Sequence, residues 1–366
     1  MSVLEQFGVE AGKLAAHTEA TNYPTPVQGR VVHIDADFMA YQVSAESNEE
    51  LDASNDTPRK SIEDMQHNCR SAAEHIMRLA GATSYVCHVT PSGSDKGGRD
   101  AQAIQKEYQG NRKDRDNKPE HLDTIRAFIG RELNGAIHMK QEADDGMAQA
   151  AYNAEDPNLV VIASKDKDLL MVPGLHLMLD TGHIVNCKDR FGSIEVDASK
   201  SSKKVVGLGT KFFWAQLLMG DTADNIQGLP AVTGQFHLEA APTAAFEKDM
   251  KAWINLPPKS DMTDKEVQAA ERLDTRINVA LAKTKPCGPV MTELLLRGLN
   301  TDKECFQRIK LMWLDLEKQG HEFKHWSTGA KVTATQAMLS DMKLLWMRRN
   351  SNPNDVVDWI KEIMNA

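Results

Sequence analysis

Long apolar runs are missing from this chain of 366 residues. No uncharged stretch approaches the ~18–20 residues that a bilayer span requires. The mean hydropathy is −0.46, so no membrane association is expected. Met1 to Ala20 contains no basic stretch followed by an apolar block, so no signal peptide is expected and a cytoplasmic setting is the default. Cysteine is scarce. The five residues Cys69, Cys87, Cys187, Cys287 and Cys305 are scattered and never form a C-x-x-C pair. That excludes a disulfide scaffold or zinc ribbon and suits a reducing compartment. Positive charge is also in deficit, with 43 Lys and Arg against 52 Asp and Glu and a net charge of −9. A net charge says little about where charges sit, so it does not exclude a nucleic-acid partner.

What is present is ordinary globular material. The apolar fraction is 41% and the charged fraction 26%, enough for a packed core. At ~150 residues per domain the length suggests two domains. Four short β-branched runs read as strands, at Val31–Ile34, Ser84–Val89, Leu159–Ala163 and Leu175–Leu179. Helical spacing fills the intervals at Ile62–Leu79, Leu122–Leu133 and Asp144–Asn153. Strands alternating with helices predict an α/β fold with a mostly parallel central sheet and flanking helices. Past about residue 205 the strand signal fades. Helices over Phe212–Met219 and Val332–Arg349 then predict a smaller helical domain. The expected organisation is an extension over 1–29 with a short helix over Val3–Ala16, a core over 30–204, and a helical region over 205–366. Ser44–Arg59 is polar and reads as a loop.

The acids recur at the ends of the apolar runs. Asp35 closes the first strand, and Glu142, Asp144 and Asp145 open an alanine-rich helix. Asp166 and Asp168 follow the third strand, and Asp221 and Asp224 follow the helix ending at Met219. Each acid alone has a plain structural explanation as a turn residue or a helix-terminus charge. Their repetition at one topological position is the signal. The carboxyl edge of a parallel sheet collects ligand sites, and converging carboxylates need cations to coexist. Oxygen-only donors suit Mg²⁺, with Mn²⁺ as substitute. Two such ions ~3.5–4 Å apart activate water and stabilise a leaving oxygen in phosphodiester hydrolysis. These eight acids account for nearly all of the net −9, leaving the remainder close to neutral.

Five ordered segments are similar to motifs of the 5′-nuclease family: flap endonucleases, the 5′-nuclease domain of bacterial DNA polymerase I, and bacteriophage 5′–3′ exonucleases. They are Ile34–Gln42, Lys106–Arg112, Glu142–Gly146, Ser164–Leu169 and Gly220–Ile226. The resemblance covers roughly residues 31–235. It implies a PIN-like core with an arch over about 91–140, followed by a helix–hairpin–helix. It implies one metal site from Asp35, Glu142, Asp144 and Asp145, and a second from Asp166, Asp168, Asp221 and Asp224. Arg112 and Lys106 would act on the phosphate. Tyr41, Tyr108, Asn111, Lys203, Lys204, Gly228 and Gly234 would contact DNA, with K⁺ at the hairpin. The implied activity is 5′–3′ exonuclease or 5′-flap endonuclease action on DNA with 5′ ends, nicks or flaps. For a phage enzyme the setting would be host cytoplasm, with roles in replication or host-DNA degradation.

Three features depart from the pattern. Gln109 stands where the family usually has lysine, and an amide cannot supply that charge. A further family aspartate after the second strand is represented only by Asp95, displaced by several residues. Ala231 and Thr233 replace hairpin glycines that let backbone approach a phosphate. These departures keep alive a catalytically weak or inactive relative that binds branched DNA. Asp35 and Asp37 also fit the strand-end pair of a haloacid-dehalogenase phosphatase, with Asp35 as nucleophile and Asp37 as general acid. An RNA-cleaving relative is a third alternative.

Residues 96–118 mix Lys96, Arg99, Lys106, Arg112, Lys113, Arg115 and Lys118 with four acids. They read equally as a solvated loop or as a strand-contacting arch. Lys200, Lys203, Lys204 and Lys211 read equally as an exposed loop or as phosphate contacts. Trp313, Trp326 and Trp346 are expected to pack the C-terminal helices, and His33 and His88 to be satisfied core or edge histidines.

Overall fold

The computed structural model describes residues 23–45, 61–112, 118–199 and 202–366. The expected helix over Val3–Ala16, most of the polar loop before Arg59, and Lys113, Arg115 and Lys200 lie outside the described residues.

The four apolar runs form strands, as their β-branched content predicts. They are β1 (Val31–Asp35), β2 (Ser84–Val89), β4 (Val160–Ser164) and β5 (Gly174–Met178). Two further strands complete their sheet, β3 (Gly135–Ile137) and β6 (His183–Cys187). The sheet order is β3-β2-β1-β4-β5-β6. Neighbours from β3 through β5 are parallel, and β6 closes the edge antiparallel to β5. From β1 the chain winds one way through β2 and β3. Helix α4 (Ala143–Tyr152) then carries it back across to β4. The order therefore reverses between β1 and β4, which opens a crevice beyond their carboxyl ends.

Helices cover both faces. On one face, α1 (Ala36–Ser44), α2 (Ile62–Leu79) and α3 (Leu122–Glu132) bury Met39, Met65, Ile76, Ile125 and Phe128 against Val32, Ile34 and Val161. A capping box between Ser61 and Asp64 starts α2, satisfying two otherwise orphaned amides. On the other face, α4 brings Met147 and Ala148 into a larger cluster. That cluster continues into α5 (Thr210–Met219), which is apolar on nearly every side and therefore buried all round.

The strand signal does fade after residue 208. Before that point the antiparallel hairpin β7 (Ser193–Asp197) and β8 (Lys204–Leu208) was not evident in the sequence. Neither were β3 and β6. The first is three residues long and the last is mostly exposed, so neither shows a strong apolar period.

Seven helices follow α5: α6 (Gly234–Ala240), α7 (Ala244–Ile254), α8 (Asp264–Ala282), α9 (Pro289–Leu296), α10 (Asp302–Lys318), α11 (Ala334–Leu345) and α12 (Asp355–Asn365). The segment expected as one helix to Arg349 leaves helical geometry at Trp346. There the chain turns extended and inserts Trp346 and Arg348 into the interior. Among the described residues no helix is long and apolar enough to cross a membrane.

Tryptophans seal the C-terminal half. Trp346 and Trp359 stack at 4.3 Å between centroids, and Trp214 and Phe213 pack on Trp359 at 5.5 and 5.8 Å. Two indole nitrogens are satisfied: Trp346 donates to Asp355 and Trp214 to Asp302, both at 2.8 Å. Trp313 is buried as expected, whereas Trp326 lies 43% exposed. Removing the central ring should leave a cavity. Trp359→Ala is expected to lower the unfolding free energy by about 3–5 kcal/mol, measured by urea denaturation. A loss below about 1 kcal/mol would show that α12 is not part of the cooperative core.

Candidate metal and phosphate site

The site is assembled from strand ends and helix starts. Asp35 ends β1, and its carboxylate accepts the Phe38 amide at 3.1 Å, capping α1. Ser164, the last residue of β4, donates to Asp35 at 2.8 Å. That bond ties the two strand ends together across the crevice. Ser164 also accepts the Asp166 amide at 2.9 Å. Asp166 in turn accepts the Asp168 amide at 2.8 Å, fixing the tight turn after β4. Glu142 sits at the N-cap of α4, with Asp144 in its first turn.

A cleft of about 390 Å³ opens there. Its acids are Asp35, Asp37, Glu142, Asp144, Asp166 and Asp224, and its cations are Lys96, Arg112 and Arg126. Burial pushes Asp35 up to about 6. Burial and then the charges of Asp166, Asp35, Glu142 and Asp37 push Asp144 well above the usual carboxylate range. Asp166 and Glu142 are also raised, chiefly by burial, although Arg99 pulls Glu142 back. No cation pairs with Asp35, Asp144 or Asp166 among the described residues. Carboxylates that raise one another in this way are short of positive charge.

The acids share a cleft without meeting at a point. Among the described residues no group of three or more His, Cys, Asp or Glu could hold a metal ion as it stands. Several acids have turned to protein partners instead. Glu142 accepts from the Tyr108 hydroxyl at 3.0 Å and pairs with Arg99 at 3.0 Å. Asp224 pairs with Arg112 and accepts from Tyr108 at 3.2 Å. Asp37 accepts the Thr90 amide at 2.9 Å and lies 2.9 Å from Arg126, without hydrogen-bond alignment on that ion pair. The donor chemistry still suits a hard divalent cation, because every acidic donor is oxygen and three lack counter-charge.

Three acids assigned to metals on sequence grounds lie elsewhere. Asp145 points away from the cleft, because successive helical residues differ by about 100° in direction. It is fully buried and grips Arg99 through both oxygens at 2.7 and 2.9 Å. It also accepts the Arg348 amide at 3.1 Å. Burial alone would raise Asp145, but the Arg99 guanidinium outweighs it and holds the group low. Asp168 and Asp221 do not line the cleft; Lys167 bridges them at 2.7 and 2.9 Å. Burial raises Asp168 to about 8, while the same lysine holds Asp221 below its usual range.

The remaining expected residues scatter around the site. Arg112 lines the cleft, but Lys106 is exposed and outside it. Tyr108 is buried with its hydroxyl on two acids, and Tyr41 is 46% exposed on α1. Asn111 donates to the Thr222 carbonyl at 2.8 Å, joining its segment to the Asp221–Asp224 turn. Lys203 and Lys204 are exposed at the start of β8. Gly228 and Gly234 face the protein's own backbone. A Cβ on either would stand 2.2 Å from Gly220 nitrogen or 2.1 Å from Ala280 oxygen. Asp95 caps its own turn, accepting the Gly97 amide at 2.8 Å.

Asp37 entered the sequence reading only as the general acid of the phosphatase alternative, and Ser164 only as the first residue of the Ser164–Leu169 segment. Nothing local marks Arg126. His33 and His88 are satisfied as expected, in a row with His138 at 2.8 and 2.9 Å beneath α4. Gly146 admits that row, since a Cβ there would lie 2.3 Å from His138.

No protein-family model matches the chain, and no curated protein matches it. Among solved structures it is similar to the T5 D15 protein co-crystallised with metal ions, at 12% identity and a TM-score of 0.38. It is also similar to a bacteriophage T5 D15 flap endonuclease in a pseudo-enzyme–product complex with DNA and metal ions, at 16% identity and 0.38. Both alignments cover 80% of this chain and 100% of the other. A zinc-bound T5 5′-exonuclease follows at 14% identity and 0.38, covering 77% of this chain and 99% of that one. At such values the roles of individual side chains rest on this chain's own geometry.

Two outcomes are expected from the electrostatics. A carboxyl group held more basic in the folded state stabilises it fully at low pH, and that contribution is lost as pH rises through the folded value. Lowered histidines such as His33 act in the opposite sense, but only below their ordinary 6.5. In chelator, the thermal midpoint should therefore fall between pH 6.5 and pH 8 as Asp168 ionises. Asp168→Asn should flatten that fall, and an unchanged slope would contradict the electrostatic account. Separately, Arg99→Met strands the buried Asp145 carboxylate. It should cost about 3–5 kcal/mol of stability, read by chemical denaturation.

Proposed function

We propose that the chain is a divalent-metal-dependent 5′-nuclease that hydrolyses phosphodiester bonds in DNA with 5′ ends, nicks or flaps. One observation carries this reading. Asp35, Asp144 and Asp166 converge on one cleft at the reversal of strand order, raised by burial and by one another, with no cation paired to them. Divalent ions, Mg²⁺ or Mn²⁺, would supply the missing charge and with it water activation and leaving-group stabilisation.

Asp35, Asp144 and Asp166 would hold the ions, while Glu142 and Asp224 keep Tyr108 and Arg112 beside them. Arg112, at the rim, would face the phosphate backbone. Tyr108 would keep the arch registered on both acids. In the proposed division of labour, residues 30–204 contribute most of the cleft. Residues 205–366 add Asp224 and a surface for duplex DNA beside Lys203 and Lys204. Asp145, Asp168 and Asp221 would act from behind, keeping Arg99, Lys167 and the turns in place. The phosphatase alternative gains nothing from the geometry, since Asp37 is already engaged by Thr90 and Arg126.

The test is a cleavage assay on 5′-labelled duplex and 5′-flap DNA with Mg²⁺, Mn²⁺ or chelator. Short 5′ products should appear with either metal and not with chelator. Because a Lewis-acid ion supplies several kcal/mol, Asp166→Ala should lower the rate by about 100-fold or more. DNA left intact under both metals, despite binding, would replace the nuclease with a branched-DNA-binding protein. Preference for RNA of the same shape would move the substrate class.

A further inference from the structure

The three cations of the cleft are not equivalent. Arg112 is paired with Asp224, and Arg126 lies 2.9 Å from Asp37 and 3.7 Å from Asp123. Lys96 has no carboxylate within ion-pairing distance among the described residues. Its ammonium donates to the Gln109 side-chain oxygen at 2.6 Å and stands 5.9 Å from the centre of the Tyr108 ring. A full positive charge in an acid-rich cleft is thus held by a neutral amide.

The backbone goes to some length to place this pair. Lys96 has φ 49° and Gln109 has φ 52°. Both are left-handed, which costs roughly 1 kcal/mol or more for a residue with a side chain. Turn bonds impose the first conformation: the Lys96 amide donates to Ser94 Oγ at 3.2 Å, and the Gly98 amide donates to the Asp95 carbonyl at 2.8 Å. The Gln109 amide donates to the Asp224 carbonyl at 2.9 Å and fixes the second. The carboxamide is oriented at both ends. Its nitrogen donates to the Asp224 carboxylate at 3.2 Å, so its oxygen faces Lys96. Two strained residues on separate segments therefore meet in the cleft, joined by a contact that leaves the lysine charge uncancelled.

We infer that Lys96 is the catalytic cation on the scissile phosphate and that Gln109 is the residue that positions it. The inference rests on the nuclease reading above. Water adds its oxygen to phosphorus as the bond to the leaving 3′ oxygen breaks. One water proton ends on that oxygen, and the other stays with the new phosphate or passes to solvent. Lys96 transfers no proton. Its ammonium donates to a non-bridging phosphate oxygen and stabilises the charge that grows there in the transition state. Arg112 is less suited, because Asp224 already balances its charge.

Single-turnover cleavage of a 5′-flap DNA with Mg²⁺, and Kd for the same DNA in chelator, test this together. Lys96→Gln should slow cleavage on the order of 10²–10³-fold, with Kd changed less than about threefold. Thermal midpoints of variant and wild type should agree, since the substituted amide can still meet Gln109. Lys96→Gln combined with Gln109→Lys returns an ammonium from the other end of the same contact. It should recover at least about tenfold of the lost rate, which no merely structural role for Lys96 would produce. Wild type that cleaves while Lys96→Gln cleaves within about threefold of it overturns the inference and leaves the nuclease reading standing. A Lys96→Gln defect carried wholly by Kd, or a lowered midpoint without rescue in the double variant, overturns it too. Wild type inert under Mg²⁺ and Mn²⁺ brings down the nuclease reading and this inference with it.

Discussion

Like charges gathered in a half-buried cleft repel, and much of this architecture responds to that constraint. Six carboxylates line one crevice. The protein tolerates them by giving some a cation, some a hydroxyl or amide, and by letting others rise toward neutrality. Arg112, Arg126 and Tyr108 are the visible compensations. Asp35, Asp144 and Asp166 are the uncompensated remainder, held in place because Asp35 also caps α1 and Ser164 locks the β1 and β4 ends together. A site that is costly when empty of counter-charge is primed to gain from binding it.

The second organising element is Arg99, buried beneath the acids. It joins Asp145 and Glu142 on α4 to the Trp346 carbonyl of the C-terminal segment, 247 residues away in sequence. Arg348 completes the join, with its amide on Asp145 and its guanidinium on the Gly97 carbonyl at 2.9 Å. The segment Trp346–Arg348 is thus packed against Gly97 and Arg99. Glu142 therefore feels the C-terminal tryptophan stack through one guanidinium, and the cleft is a product of the whole chain rather than of the sheet alone.

Much of the fold is legible in local pattern. Val31–Ile34 and Leu159–Ala163 are strands because β-branched residues flank them with no competing helical period. Ile62–Leu79 is a helix because its apolar residues recur at helical spacing behind a capping serine. The short or mostly exposed edge strands β3 and β6 escaped, since edge strands need little buried apolar surface. The end of α11 escaped as well. Nothing in Trp346–Arg349 forbids a helix, and only the stack of Trp346 on Trp359 and the pull of Asp145 and Asp355 draw it extended.

Acid positions were equally readable, and acid orientations were not. Sequence spacing alone placed Asp35, Glu142, Asp144, Asp166 and Asp224 at strand and helix ends, because polar residues interrupting apolar runs fall there. Which of them face one cleft depends on angles a few residues wide and on partners far along the chain. Asp145 differs from Asp144 by one helical step, yet it is a buried ion-pair partner because Arg99 and Arg348 arrive on its side. Lys96 is one more charge in a mixed stretch until the fold brings it against Gln109, thirteen positions on. Local chemistry determined the elements and the supply of charge. Tertiary packing decided which charges meet, since burial and proximity, which set electrostatic strength, exist only once distant segments are in contact.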